Sequence, residues 1–274
     1  MDARTFLGLT PSHNPFRWTM DVTPGLCTGQ GFLFGGSALG AAISAMEITT
    51  GRPCVWATAQ YLSYAKPGEV LDVDVTIAVH GHQITQARAT GHVGNREILT
   101  VNAALGRRPF EASGSWEQLP GDVLAPDACP PRELRVPVDG SINDRLDMRM
   151  ARGRSVSELD GTPSNGTYQM WARIPEISEG LDASSLAVLG DFVPSGIGQA
   201  LGIVGGGNSL DNTIRIARLV PTEWVFVDIH IHAVENGFGH GTVKMFAESG
   251  QLLAVASQSV IARHWSHPQQ EVEE

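Results

Sequence analysis

Between Leu71 and Val79 the odd positions Leu71, Val73, Val75, Ile77 and Val79 are apolar, and Asp72, Asp74 and Thr76 alternate with them. A two-residue period puts alternate side chains on opposite faces, so this run predicts a half-buried strand of an antiparallel sheet. The pattern returns at Val225, Val227, Ile229, Ile231 and Ala233, opposite Asp228, His230 and His232. Further strands are predicted over Gln83 to His92, Ile98 to Leu105, Gly241 to Glu248 and Leu252 to Arg263. Gly81-His82, Gly94-Asn95, Glu235-Asn236-Gly237 and Ser249-Gly250 supply their hairpin turns. Two segments break the period. Gly35 to Ile48 and Ile197 to Gly207 are small and apolar on nearly every side, and a helix without a polar stripe must be buried. Pro194 suits the first turn of the second helix, because its fixed φ is helical and its missing N–H is one that turn leaves unpaired. Gly205-Gly206-Gly207 predict the helix stop. A strand is expected before each helix, around Trp18 and around Trp171, 153 positions apart (18 to 171).

The chain repeats itself. Sliding it by 154 positions (Pro67 to Pro221) aligns Glu69 with Glu223, Val73 with Val227, Asp74 with Asp228, Ile77 with Ile231, Leu99 with Leu253 and Val101 with Val255, without a gap. Upstream, Gly36 meets Gly190, Ile43 meets Ile197 and Gly51 meets Gly205. Each copy then reads as strand, buried helix and several meandering strands. Pro109 to about Gly166 is rich in Pro, Gly, Asp and Ser, with a strand-like run from Arg145 to Met150. The expected division is a first copy over 1–108, a connector over 109–143, a second copy over 144–265 and a polar, disordered tail over 266–274.

Composition narrows the function. An apolar fraction of 42% is that of a soluble globular protein. No apolar run reaches membrane-spanning length and the start lacks an export pattern, so the expectation is a cytoplasmic protein without a membrane span. A net charge of -10 argues against a nucleic-acid partner, whose affinity rests on neutralised phosphates. Cys27, Cys54 and Cys129 show no ligand spacing, and His230 and His232 share a strand face with no third ligand spaced to join them. No metal and no cofactor is expected.

Candidate chemistry gathers at Leu189-Gly190-Asp191, before the second helix, at Ser209-Leu210-Asp211-Asn212 and at Ala256-Ser257-Gln258; Phe34-Gly35-Gly36 precedes the first helix. With these motifs the chain resembles the double hotdog acyl-CoA thioesterases, the acyl-CoA thioesterase II family, over nearly all of both copies. The resemblance implies an α+β fold of two fused hotdogs, each a curled antiparallel sheet around a central buried helix, acting on acyl-CoA and associating into a homo-oligomer. It also implies that an Asp, a Thr or Ser and a Gln of the C-terminal copy hold the water that attacks the thioester. These fall on Asp191, Ser209 and Gln258. Two departures stand out: Ser209 occupies a position where many relatives have Thr, and Ser37 replaces the Gln that commonly follows the first Gly-Gly.

The repeat offers a check that needs no relatives. Ser37, Val55 and Ala104 stand opposite Asp191, Ser209 and Gln258, so the first copy is catalytically blank at those positions and one site per chain is expected. The residue types suit thioester hydrolysis: Asp191 as base, Ser209 and Gln258 to aim the water, and N–H groups at a helix start to meet the developing oxyanion, either the second helix's own or, as sites between paired hotdogs imply, those of the first copy near Gly35 and Gly36. Two rivals differ in chemistry. A hydratase of the same fold would need a motif like Gly-Asp-x-Asn-Pro-x-His, but Val193 and Gly196 stand in place of its Asn and His. A non-catalytic acyl-CoA binder or sensor would need the cleft and not the trio.

Overall fold

The structure, a computed structural model that describes residues 1–134 and 139–264, begins with α1 (Ala3–Leu7), β1 (Leu9–Pro11), β2 (Arg17–Asp21), α2 (Gly35–Thr50), β3 (Cys54–Tyr61), β4 (Val70–His80), β5 (Ile84–Val93) and β6 (Arg96–Gly106). Beyond the connector follow β7 (Asp147–Arg152), β8 (Thr167–Arg173), α3 (Ala183–Leu189), α4 (Val193–Leu201), β9 (Gly205–Ser209), β10 (Asp211–Ile216), β11 (Val225–Glu235), β12 (Phe238–Ala247) and β13 (Leu252–His264). The sheet runs β1-β2-β4-β5-β6-β3-β10-β13-β12-β11-β8-β7, with β9 also on β13. The halves join where β3 pairs antiparallel with β10. The first half curls around α2 and the second around α4, which is the α+β double hotdog arrangement.

The two halves share irregularities as well as strands. A bulge interrupts β4 against β5 between Ile77 and Val79, and another interrupts β11 against β12 between Ile231 and Ala233. A second pair lies at Gly91/His92 and at Met245/Phe246. The first pair keeps the 154-residue spacing, whereas in the second the unpaired residues are Ile98 and Leu253, 155 apart (253 − 98); because a bulge bends and twists its strand, its recurrence gives both sheets a similar curl. The tryptophans do not follow that spacing. Val73 pairs with Trp18 while Val227 pairs with Met170, so the counterpart of Trp18 is Met170. One step in a strand changes the face: Trp18 packs in the main core, whereas Trp171 joins Trp224, Phe226, Phe246 and Cys129 in a separate cluster.

That cluster is where the connector lies. Leu119 and Val123 pack against it, Trp171 Nε1 donates to the Leu124 carbonyl at 2.8 Å, and Lys244 reaches Glu117 at 2.7 Å. The strand expected from Arg145 to Met150 is β7. Cys27, Cys54 and Cys129 are all free and buried. No helix among the described residues is long and apolar enough to cross a membrane. The expected disordered tail, 266–274, lies outside the described residues.

The second helix corrects the sequence reading. It ends at Leu201, capped by Gly202 at φ 72°, and the expected helix stop Gly205-Gly206-Gly207 is instead part of strand β9, paired with His264 to Ala262 of β13. Close approach explains the glycines better than a cap does. A Cβ on Gly205 would lie 2.5 Å from the Arg263 carbonyl oxygen, and one on Gly207 2.7 Å from that of Ile261. Nor is α4 enclosed on every side: Val193, Gly196, Ile197 and Gly198 are buried, but Pro194, Ser195 and Gln199 are half-buried and face a cavity.

Candidate active site

Asp191 sits in the break between α3 and α4. A ring at Pro194 would collide with the carbonyl of Gly190 if the helix ran through, so the backbone must turn there. Gly190 closes α3 by donating to the Leu186 carbonyl at 2.8 Å, and Phe192 (φ −124°, ψ 10°) opens α4. The turn points the Asp191 side chain inward with 4% of the residue exposed. Gln258 arrives from β13. Positions 254, 256, 258 and 260 of that strand are buried, and Gln258 is the polar member of this inward row. Ser209 ends β9, opposite Val260.

These three side chains meet. Gln258 Nε2 donates to Asp191 Oδ1 and, at 3.1 Å, to Ser209 Oγ. Its orientation is fixed from behind, because the Val193 N–H donates to Gln258 Oε1 at 3.2 Å and so turns the amide nitrogen toward the carboxylate. Asn212 Nδ2 donates to Asp191 Oδ1 at 3.3 Å, and the Gly36 N–H to Asp191 Oδ2 at 2.5 Å. Burial pushes the Asp191 carboxyl up to about 7, against the opposing pull of the bonds from Gln258, Gly36, Asn212 and Ser209. A carboxyl poised there is half ionised near neutrality, the condition in which a general base is both present and strong.

The first half, blank at its own equivalent positions, still contributes to this place. The Gly36 N–H belongs to the start of α2, where the first turn leaves its donors unpaired and the dipole favours a carboxylate. Gly35 and Gly36 also provide clearance: a Cβ on Gly35 would lie 2.7 Å from Asp191 Oδ2, and one on Gly36 2.8 Å from the Ala187 carbonyl oxygen of α3. Tyr61 stands beside them. Its hydroxyl is buried without a hydrogen-bond partner among the described residues; Asn212 stands near enough to favour phenolate without reaching hydrogen-bond geometry. Burial, then the charges of Asp191 and Asp211, hold the phenol well above its ordinary value.

Asp191, Ser209, Gly35 and Tyr61 open onto a cavity of about 480 Å³ between the halves, whose wall includes Phe34, Phe192 and Arg132. Asn212 and Tyr61 carry no role in the sequence reading. A signal for Asn212 exists, since it is polar on the buried row of β10 that continues at Ile214. For Tyr61 there is none, because only the β3–β10 pairing brings it to Asp191. The histidines flagged as unpromising ligands, His230 and His232, are exposed with ring centres 5.1 Å apart, and no group of three or more His, Cys, Asp or Glu placed to hold a metal occurs among the described residues.

Residues 126–262 match the family model described as the acyl-CoA thioesterase C-terminal domain. Among solved structures the chain is similar to a proposed thioesterase from Novosphingobium aromaticivorans, at 32% identity and TM-score 0.82 over 93% of this chain and 98% of that one. It is also similar to a hot dog protein of unknown function from Alicyclobacillus acidocaldarius (18% identity, TM-score 0.82, 96% and 98% covered) and to an acyl-CoA thioesterase II from Mycobacterium marinum (18%, 0.73, 96% and 99%). A comparison with curated proteins gave no match.

Proposed function

The chain belongs to the acyl-CoA thioesterase family, and from that premise we propose that it hydrolyses acyl-CoA thioesters at the cavity between its halves, with Asp191, Ser209 and Gln258 handling the water. The observation that carries this reading is the convergence of Asp191, Gln258 and Ser209 from three separate elements, with Asp191 and Ser209 on the cavity wall and Gln258 bonded to both. Water held by Asp191 and by the Ser209 hydroxyl attacks the thioester carbon while Asp191 accepts its proton. The carbonyl oxygen becomes an oxyanion, and the N–H of Gly35 is the donor proposed for it, since that of Gly36 is committed to Asp191. Collapse breaks the C–S bond, and the thiolate leaves with the proton from Asp191. Gln258 keeps the carboxylate oriented through the step, as its own amide is locked by the Val193 N–H.

The test is free-thiol release from acyl-CoAs of graded length by the wild type and by Asp191→Asn, with circular dichroism to establish folding. Turnover by the wild type and a loss on the order of a hundredfold or more in the folded variant are expected, as removing a general base costs. A wild type that releases no thiol, yet melts at higher temperature with the same acyl-CoAs, would make the protein a binder instead.

A further inference from the structure

Three charged residues line the cavity among those described: Asp191, Glu133 and Arg132. Arg132 comes from the connector, held to the second half where its N–H donates to the Met148 carbonyl at 2.8 Å. Its guanidinium donates from Nε to Tyr168 Oη at 3.1 Å and from Nη2 to Ser195 Oγ at 2.9 Å, Nη1 lies 3.7 Å from Met148 Sδ, and its carbon stands 5.5 Å from the centre of the Phe192 ring. All of these partners are neutral. Several other arginines have carboxylates, as Arg17 with Asp74, Arg96 with Glu69 and Arg145 with Glu176. Arg132 has none within ion-pair distance among the described residues. The neighbouring Glu133, on the same cavity wall, is exposed and accepts from the Val156 N–H at 3.1 Å.

A half-buried guanidinium among a phenol, a hydroxyl, a thioether and a ring face has given up hydration without gaining a counter-charge, and an apolar residue would stabilise that wall better. Its planar fork matches the two oxygens of a carboxylate, the pairing that would complete it. Ser195, its partner, stands in the first turn of α4, whose dipole also favours an anion there. The cavity lining indicates which part of a substrate brings that anion. Thr28, Ser63 and Asn208 are polar and belong with Tyr64, which takes a hydrogen bond from Asn208 at 2.5 Å and packs on Phe32; they suit the amide-bearing arm of a carrier. On the side of Arg132 the lining includes Leu134 and Val156, whose N–H reaches the neighbouring Glu133, together with Leu159 and Ile203, which suit methylenes. Phe192, next to Asp191 in the chain, packs on Phe34 with ring centres 5.7 Å apart.

We infer that Arg132 receives a carboxylate at the far end of the acyl group, so that the substrates are ω-carboxyacyl thioesters, the monothioesters of dicarboxylic acids. This rests on the hydrolase reading above. Hydrolysis then leaves a free dicarboxylate and the thiol, with Arg132 untouched by the bond changes.

The experiment compares kcat/KM for length-matched pairs, glutaryl- with pentanoyl-, adipyl- with hexanoyl- and suberyl- with octanoyl-CoA, in the wild type, Arg132→Gln and Arg132→Lys. The wild type should favour the carboxylated member of at least one pair by about tenfold or more. Arg132→Gln should reduce that ratio by about 10- to 100-fold, as loss of hydrogen bonds to a charged group does, with Arg132→Lys between. If Arg132→Gln does not fold, Arg132→Lys alone decides, because it keeps the charge and loses the fork. No preference in the wild type, or a ratio unmoved by substitution, overturns the inference. If both members of a pair lose equally and the corresponding pantetheine thioesters, which lack the nucleotide phosphates, do not, Arg132 serves the carrier's phosphate and the inference is again overturned. Should the wild type hydrolyse no thioester, the hydrolase reading fails. Calorimetric binding of free suberate and octanoate then decides: suberate bound tenfold or more weakly by Arg132→Gln sustains the carboxylate site, and equal binding by both proteins removes it.

Discussion

Replacing Asp191 by Asn probes the site through folding as well as turnover. The folded carboxyl, held near 7 mainly by burial, keeps its proton over a range in which the unfolded chain, with an ordinary carboxyl near 3.8, has released it. Between about pH 4 and 7 the folded state therefore binds more protons than the unfolded one, and stability falls as pH rises. The penalty is absent below the lower value and constant above the upper one. At about 1.4 kcal/mol per pH unit, the span amounts to ~4 kcal/mol lost by the wild type across that window. Asn does not titrate, so the variant lacks this slope. Its amide does introduce a mismatch: Gln258, Gly36 and Asn212 all donate toward residue 191, and a donor facing a donor costs about 1–3 kcal/mol at every pH. Asp191→Asn is therefore expected to be the less stable protein at pH 4.5 and the equal or more stable one at pH 8. Urea unfolding at pH 4.5, 6 and 8, followed by far-ultraviolet circular dichroism, measures both. A difference between the two proteins that stays constant with pH would refute the buried-carboxyl argument, whatever the turnover shows.

Gln258→Leu removes the first of the bonds that lower the Asp191 carboxyl, so the acidic limb of the kcat/KM profile should move to higher pH; an unmoved limb means that another group titrates there. Tyr61→Phe deletes a buried hydroxyl without a partner and is expected to hold or raise stability by up to about 1–3 kcal/mol; a fall in melting temperature would reveal a hydrogen bond at that oxygen. Gly36→Ala drives a Cβ to 2.8 Å from the Ala187 carbonyl oxygen and 2.9 Å from Val188 Cα, backbone that cannot swing aside, and should cost about 1–3 kcal/mol in urea unfolding. Trp171→Ala opens the cluster beneath the connector at about 3–5 kcal/mol, and limited proteolysis should then cut between Pro109 and Leu124 faster than in the wild type.

Alternation and repetition are properties of the chain itself, and they carried a long way. The two-residue period predicts β4, β5, β6, β11, β12 and β13, since exposure on one face and burial on the other is written into every second residue. The ungapped 154-residue shift likewise anticipates bulges at matching places, for the backbone pattern was copied with the residues. What periodicity missed were one-residue choices of face and close backbone approaches. Trp18 and Trp171 look equivalent in sequence but point to opposite faces of the sheet, because pairing partners set the register. The Gly205 to Gly207 run reads as a helix end, yet it is a strand that needs glycine because β13 passes too near for a Cβ.

The candidate site divides along the same line. Sequence alone determined which residue types were available at the second helix, Asp191 above all, and that the first copy lacks their equivalents. The tertiary structure decided how they are used. Burial, which no local pattern states, moves the carboxyl toward neutrality. The β3–β10 junction and the crossing of α2 over α3 bring Gly36 and Tyr61 to Asp191 across more than a hundred residues of chain, and the fold of the connector sets Arg132 in the cavity wall. Hydration and charge act through distance in space, and that distance exists only once the two halves have closed on one another.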